Sequence, residues 1–153
     1  MSQLFSPITI KDVTFKNRIG VSSIDGVAND WHRVQLGSRA VGGAGLIIAE
    51  ATAVRADGRI TPGCAGLWND AQVAALIPIN KFITDHNCVI GVQIGHAGRK
   101  ASAARPWDGG AHLADADGGW PIIGPSDEAF DDDGVRLWKT PREMSIQDIK
   151  DIQ

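Results

Sequence analysis

Three short stretches of this chain carry residue types suited to holding a flat, polar ligand. They are Ser22, Glu50-Ala51-Thr52 and Gln93-Ile94-Gly95-His96, with Arg99 and Lys100 just beyond the last. Each closes an apolar run: Arg18-Ile19-Gly20-Val21, Leu46-Ile47-Ile48-Ala49 and Cys88–Ile94. In parallel α/β architecture, ligands are held by residues at the C-terminal ends of strands, so this is where chemistry is expected. The small side chain of Ala51 lets a flat ring approach the strand end. The Gln93 amide both donates and accepts, which suits the edge of a heterocycle. His96, Arg99 and Lys100 add positive charge nearby. The plainer alternative is that Gln93 satisfies barrel backbone and Arg99 is a surface cation.

Other motifs fall away on spacing. Gly42-Gly43-Ala44-Gly45 precedes a strand, whereas a dinucleotide fingerprint follows one and opens a helix, so it reads as a helix-to-strand turn. Gly95-His96-Ala97-Gly98-Arg99-Lys100 is not a P-loop, because Arg99 separates Gly98 from Lys100 and the spacing is short. His32, His86, His96 and His112 have no metal-ligand spacing, no HExxH occurs, and no metal is expected. His86 reads most simply as a cation at a helix C-terminus. There is no GxSxG elbow. Asp131-Asp132-Asp133-Gly134 lacks the later glutamate of a calcium loop and reads as a solvated turn. The chain has five Trp and no Tyr, which removes one common proton donor from any mechanism built on these residues alone.

The elements that must position these residues follow from periodicity. Ile8–Lys11 and Val13–Lys16 alternate apolar with polar around Asp12, as a short hairpin does. Ile19–Ser22, Leu46–Ala51 and Val89–Gln93 read as strands, parallel because helices separate them. The first helix is capped by Asn29 or Asp30 and runs to about Val41, with Trp31, Val34, Ser38 and Val41 as its inward stripe. The second opens at Asn69-Asp70 and ends near His86-Asn87, with a kink or two stacked pieces at Pro78. Ala97–Pro141 shows no convincing periodicity. A stretch that long is usually functional, and its Trp107, Trp120 and Trp138 are expected to pack onto something. Ser145-Ile146-Gln147-Asp148 resembles a capping box with Met144 and Ile149 as its staple, so a further helix begins there.

Composition bounds the class. The 153 residues, 43% hydrophobic and 22% charged, suit one globular domain. Fifteen Lys plus Arg against 18 Asp plus Glu leave a net charge of −3, which speaks against nucleic acid as a partner. No apolar run is long enough to span a bilayer, and Met1–Pro7 lacks the makings of a secretory signal. Cys64 and Cys88 have no CxxC spacing and are expected as thiols. A cytoplasmic protein that binds a small molecule is the expectation. Gly makes up 18 of the 153 residues, so close backbone approaches are expected at several positions.

One set of strings is specific. Phe5-Ser6-Pro7-Ile8-Thr9-Ile10, Lys16-Asn17-Arg18-Ile19, Gly43–Ile47 with Glu50-Ala51-Thr52-Ala53-Val54, Gly58-Arg59-Ile60 and Gln93-Ile94-Gly95-His96-Ala97-Gly98-Arg99-Lys100 occur in this order. Together they strongly resemble the N-terminal part of the Old Yellow Enzyme family, in its bacterial NADPH dehydrogenase and xenobiotic reductase branch. The resemblance covers essentially the whole chain. It implies an α/β fold, namely a partial (β/α)8 TIM barrel made of an N-terminal hairpin and about three βα units. Residues 1–153 would be the N-terminal portion of one FMN-binding barrel domain. It further implies FMN and NADPH as cofactors, a small-molecule alkene such as an enone as substrate, and a homo-oligomer in the full-length protein. Carried over by position, Ser22 lies beside the flavin, Ala51 contacts the isoalloxazine and Gln93 hydrogen-bonds its pyrimidine edge; no catalytic residue is assigned. Two departures stand out. Family members continue after the first-strand Ser with a Pro-Met-Cys-x-Tyr type segment, whereas here Ser22 runs directly into Ser23-Ile24-Asp25-Gly26, so an unnatural junction is expected between Ser22 and Ser23. The family's second-half catalytic and phosphate-holding residues are also missing. The chain is therefore expected to be a fragment, with a truncated, non-catalytic protein as the rival reading.

Overall fold

The computed structural model describes residues 3–22, 29–130 and 138–153, with Ser22 described by its backbone alone. The Ser22–Ser23 junction and the Asp131–Gly134 turn lie outside the described residues. The chain divides into two compact units, Met1–Ala51 with Asn69–Gln93, and Thr52–Trp68 with Ile94–Gln153.

The first unit opens with the expected hairpin, strands β1 (Ile8–Ile10) and β2 (Val13–Phe15), paired antiparallel with Thr9 opposite Thr14. Strand β3 (Gly20–Ser22), helix α1 (Asp30–Val41), strand β4 (Leu46–Ala53), helix α2 (Asp70–Asp85) and strand β5 (Val89–Gly95) follow. The sheet order is β3-β4-β5, and β3 runs parallel to β4 with Ser22 beside Ile48. The Val89 N–H donates to Gly45 O where β5 begins, and Val54 N–H donates to Gly95 O where it ends, so β4 and β5 ascend together. The three parallel strands are where the apolar runs put them. β4 and β5 each extend two residues further, through Thr52-Ala53 and Ile94-Gly95.

The core of this unit joins Leu36 and Ala40 of α1, Ile79 and Ile83 of α2, and Ala44, Ile47 and Cys88, with Val21, Ala49 and Ile90 packed against them. The inward face of α1 is therefore not the expected one. His32, Leu36, Gly37 and Ala40 are buried, whereas Trp31, Val34 and Val41 are 63%, 63% and 61% exposed. Both stripes satisfy helical spacing, and close approach decides between them. A Cβ on Gly37 would stand 2.7 Å from Cε1 of Phe82, so the small-residue face is the one that admits α2.

Asn69 and Gln72 form a reciprocal capping box at the start of α2. Of the kink or two stacked pieces expected at Pro78, the two pieces do not form: the helix continues through it. Proline removes one backbone donor, but its fixed φ is helical, and Ile79 and Ile83 anchor the turns that follow it. At its end the His86 ring donates from Nδ1 to Phe82 O at 2.7 Å, and Lys16 Nζ donates to His86 O at 2.9 Å. The buried Asn17 ties the strand-entry loop together: its amide donates to Gly43 O at 2.7 Å while its oxygen accepts from Ile19 N at 3.0 Å. Gly43 takes φ +98° there, a conformation that a side chain would strain.

In the second unit the long segment after β5 is ordered by short turns rather than left structureless. One-turn 3-10 helices occupy Gly98–Lys100, Pro106–Asp108 and Asp115–Asp117, and strand β6 (Ile123–Gly124) pairs in parallel with β7 (Arg142–Glu143). Lys139 clamps the segment, with Nζ 2.6 Å from Asp115 Oδ1, 2.9 Å from Trp120 O and 3.3 Å from the fully buried Ser102 Oγ. Trp120 donates from Nε1 to Asp57 O and lies under Arg59, and Trp138 meets Phe130 edge-on. Trp107 departs from expectation at 73% exposed. Helix α3 (Ile146–Ile152) starts at the expected box, with Ser145 and Asp148 capping each other. Among the described residues, no helix is long and apolar enough to cross a membrane.

Candidate functional site

Ser22, Ala51 and Gln93 lie on successive neighbours in the sheet, β3, β4 and β5, each toward the C-terminal end of its strand. Ala51 and Gln93 are both exposed. Ile90 packs on the core, so in a regular pleat Gln93, three residues on, points to the opposite face. Eight residues of β4 run alongside seven of β5 between the two bonds that close their ladder. One extra residue in β4 breaks its alternation, and an irregularity of this kind re-aims side chains near a strand end.

Beside Ala51 the structure places a pair that sequence reasoning missed. His32 Nε2 donates to Glu50 Oε1 at 2.7 Å, and the two side chains are only 5% and 6% exposed. The other ring nitrogen lies 3.3 Å from Oδ1 of Asn29, the residue that caps α1. The first turn of α1 is thereby tied to the end of β4, next to the small residue expected to face the flavin. A glutamate closing an otherwise apolar strand was the available signal, since a buried carboxylate requires a partner.

His96, Arg99 and Lys100 belong to the second unit. His96 Nδ1 accepts from the Gly98 N–H at 3.1 Å, and Nε2 lies 3.8 Å from Asp57 Oδ1. Asp57 is held by both Nε and Nη2 of Arg55, each at 3.0 Å. Burial pushes the His96 ring below the ordinary histidine range, with Asp57 opposing that shift and Arg55 adding to it. A Cβ on Gly58 would meet the His96 ring at 2.6 Å, so the ring seats directly on that glycine. Arg99 donates from Nη2 to Ser126 Oγ at 2.9 Å, and Lys100 Nζ sits 4.1 Å from the centre of the Phe130 ring. Both cations are thus engaged within the post-β5 segment.

The sequence model of the NADH:flavin oxidoreductase / NADH oxidase family matches residues 3–153. The chain belongs to this family. An NADH:flavin oxidoreductase of Gibberella zeae is 41% identical over 99% of the chain and 38% of its own length. An NADPH dehydrogenase of a Geobacillus species is 39% identical over 98% of the chain and 41% of its own length. Among solved structures, the old yellow enzyme homologue from Zymomonas mobilis superposes with a TM-score of 0.76 at 27% identity, covering 98% of this chain and 42% of that one. Morphinone reductase, at 24% identity and a TM-score of 0.74, shares the fold. The chain therefore spans about two-fifths of the length of these family members. Its architecture is a part of their α/β barrel, a hairpin followed by three βα units around an unclosed parallel sheet.

Proposed function

We propose that the chain is the N-terminal portion, over residues 1–153, of one FMN-binding barrel domain in an NAD(P)H oxidoreductase of the ene-reductase kind. The substrate would be a small molecule with an activated C=C bond, such as an enone or a related xenobiotic. Bound FMN would supply hydride transfer, taking hydride from NADPH and passing it to the alkene. The observation that carries the reading is the exposed pair Ala51 and Gln93 at the C-terminal ends of neighbouring parallel strands, in a member of a flavin oxidoreductase family. Gln93 would hold the flavin's pyrimidine edge, because one amide satisfies both a ring N–H and a ring carbonyl. Ala51 would leave the depth a flat ring needs, and Ser22 would flank it from β3. A cytoplasmic location and a homo-oligomeric full-length protein belong to the same proposal.

A second reading has its own support. β5 is an edge strand of the sheet, and its Val92 and Ile94 are 40% and 62% exposed. A non-catalytic chain would associate through this edge. Titrating the chain with FMN while following the visible flavin band separates the two. Binding that shifts the band and weakens about tenfold or more in Gln93→Ala, which removes both of the amide's hydrogen bonds, supports the flavin reading. A band that never shifts at millimolar FMN sinks it.

A further inference from the structure

The neutral His96 ring is held in one tautomer by its surroundings. Its Nδ1 accepts the Gly98 N–H at 3.1 Å, so in the neutral ring the proton is on Nε2. That Nε2 is buried and has no hydrogen-bond partner, with the Asp57 carboxylate 3.8 Å away. The ring lies against Gly58, where even a Cβ would come within 2.6 Å of it, and Gly58 O accepts from the Ala97 N–H at 2.8 Å. The turn that follows depends on this arrangement. Gly98 adopts φ +58° and opens the one-turn helix Gly98–Lys100, which carries Arg99 and Lys100.

We infer that His96 is a pH-sensitive latch, in which protonation of Nδ1 withdraws the acceptor that holds Gly98 and opens the Ala97–Lys100 turn. An added proton on Nδ1 would face the Gly98 N–H donor to donor. The ring cannot simply turn over to present another acceptor, because a doubly protonated imidazole has none. The charged groups that bear on the ring are Asp57 and Arg55 on the Gly58 side, bound to each other. On its own segment Arg99 is engaged with Ser126 and Glu128, and Lys100 with the Phe130 ring. Arg59, next to Gly58, stacks on Trp120. The direction follows from linkage. The buried ring takes its proton at lower pH than an unfolded histidine does, so the closed turn holds above the ordinary histidine range and loses stability as pH falls through it.

Amide exchange and imidazole shifts of the whole chain, followed by NMR from pH 8 to 4.5, test this without any cofactor. Once corrected for intrinsic rates, Gly98 protection should fall by up to about tenfold per pH unit between the ordinary histidine value and the lower His96 midpoint, and level off below it. His96→Asn places an amide oxygen where Nδ1 was, so it should keep the Gly98 bond and abolish the pH dependence. His96→Leu should leave Gly98 unprotected at every pH. A ring that titrates while Gly98 protection stays constant would overturn the proposal. So would a His96→Asn variant whose Gly98 loses protection over the same pH range as the wild type. Should either variant fail to fold, the wild-type co-titration still decides.

Discussion

At the scale of single residues, the pair beside Ala51 sets the sharpest expectation. His32 and Glu50 are both buried, so neither recovers hydration when its partner is lost. Glu50→Leu should therefore cost about 1–3 kcal/mol, the loss of a buried hydrogen bond, read as a lower urea midpoint. The double change His32→Leu with Glu50→Leu removes both polar groups and should recover most of that loss, since replacing both partners of a buried hydrogen bond by apolar groups is often nearly neutral. A double variant as unstable as the single one would show that the pair contributes net stability. Asn17 makes a comparable case. Asn17→Ala leaves Gly43 O and Ile19 N–H without their side-chain partner and should cost about 1–3 kcal/mol.

At the scale of elements, the start of α3 is governed by charge. Arg142 binds the Asp148 carboxylate with both Nη atoms, at 2.9 and 2.8 Å, and Ser145 donates to it as well. The Arg142 contact, then the Ser145 bonds, hold the Asp148 carboxyl far below the usual carboxylate range. A carboxylate depressed in the fold contributes stability that is present above the unfolded value, near pH 4, and is lost as pH falls below it. Amide protection across Ile146–Ile152 should thus hold at pH 6 and decline on acidification below about 4. Asp148→Asn should fray the helix already at neutral pH and flatten that dependence. Equal protection at pH 6 and pH 2.5 in the wild type would contradict the assignment.

At the scale of the whole molecule, three proposed flavin contacts on three strands make a weak site. The family members are more than twice as long, and nothing placed on Ser22, Ala51 or Gln93 holds a phosphate. Purified residues 1–153 should hold FMN less than stoichiometrically at micromolar concentration, and with NADPH should show no steady anaerobic loss of cyclohexenone absorbance. Stoichiometric flavin with steady turnover would mean that this chain, or an oligomer of it, builds a complete site. The β5 edge adds a second expectation, since an unpaired apolar edge recruits further strands. Sedimentation should reveal concentration-dependent self-association, and Ile94→Lys, a charge at an exposed edge position, should reduce it.

Much of this was legible in the linear sequence because it is local. The hairpin, the helix caps at Asn29, Asn69 and Ser145, and the strands carrying Ser22, Ala51 and Gln93 all follow from short-range pattern and side-chain capping chemistry. The family likewise lay in contiguous strings, and its model matches the chain from residue 3 to 153. What depended on contacts distant in sequence was not legible. Which stripe of α1 faces inward was decided by Gly37 admitting Phe82, 45 residues away, a steric fit that hydrophobicity does not encode. The unbroken course of α2 past Pro78 depends on the packing of Ile79 and Ile83, and the order in the segment after β5 on Lys139 reaching Asp115, Trp120 and Ser102. The buried bond between His32 and Glu50 and the seat of His96 on Gly58 exist only once separate elements meet. Short-range pattern determined which helices and core parallel strands form and, to within two residues, where those strands end; close packing between elements decided which faces are buried and which polar groups find partners.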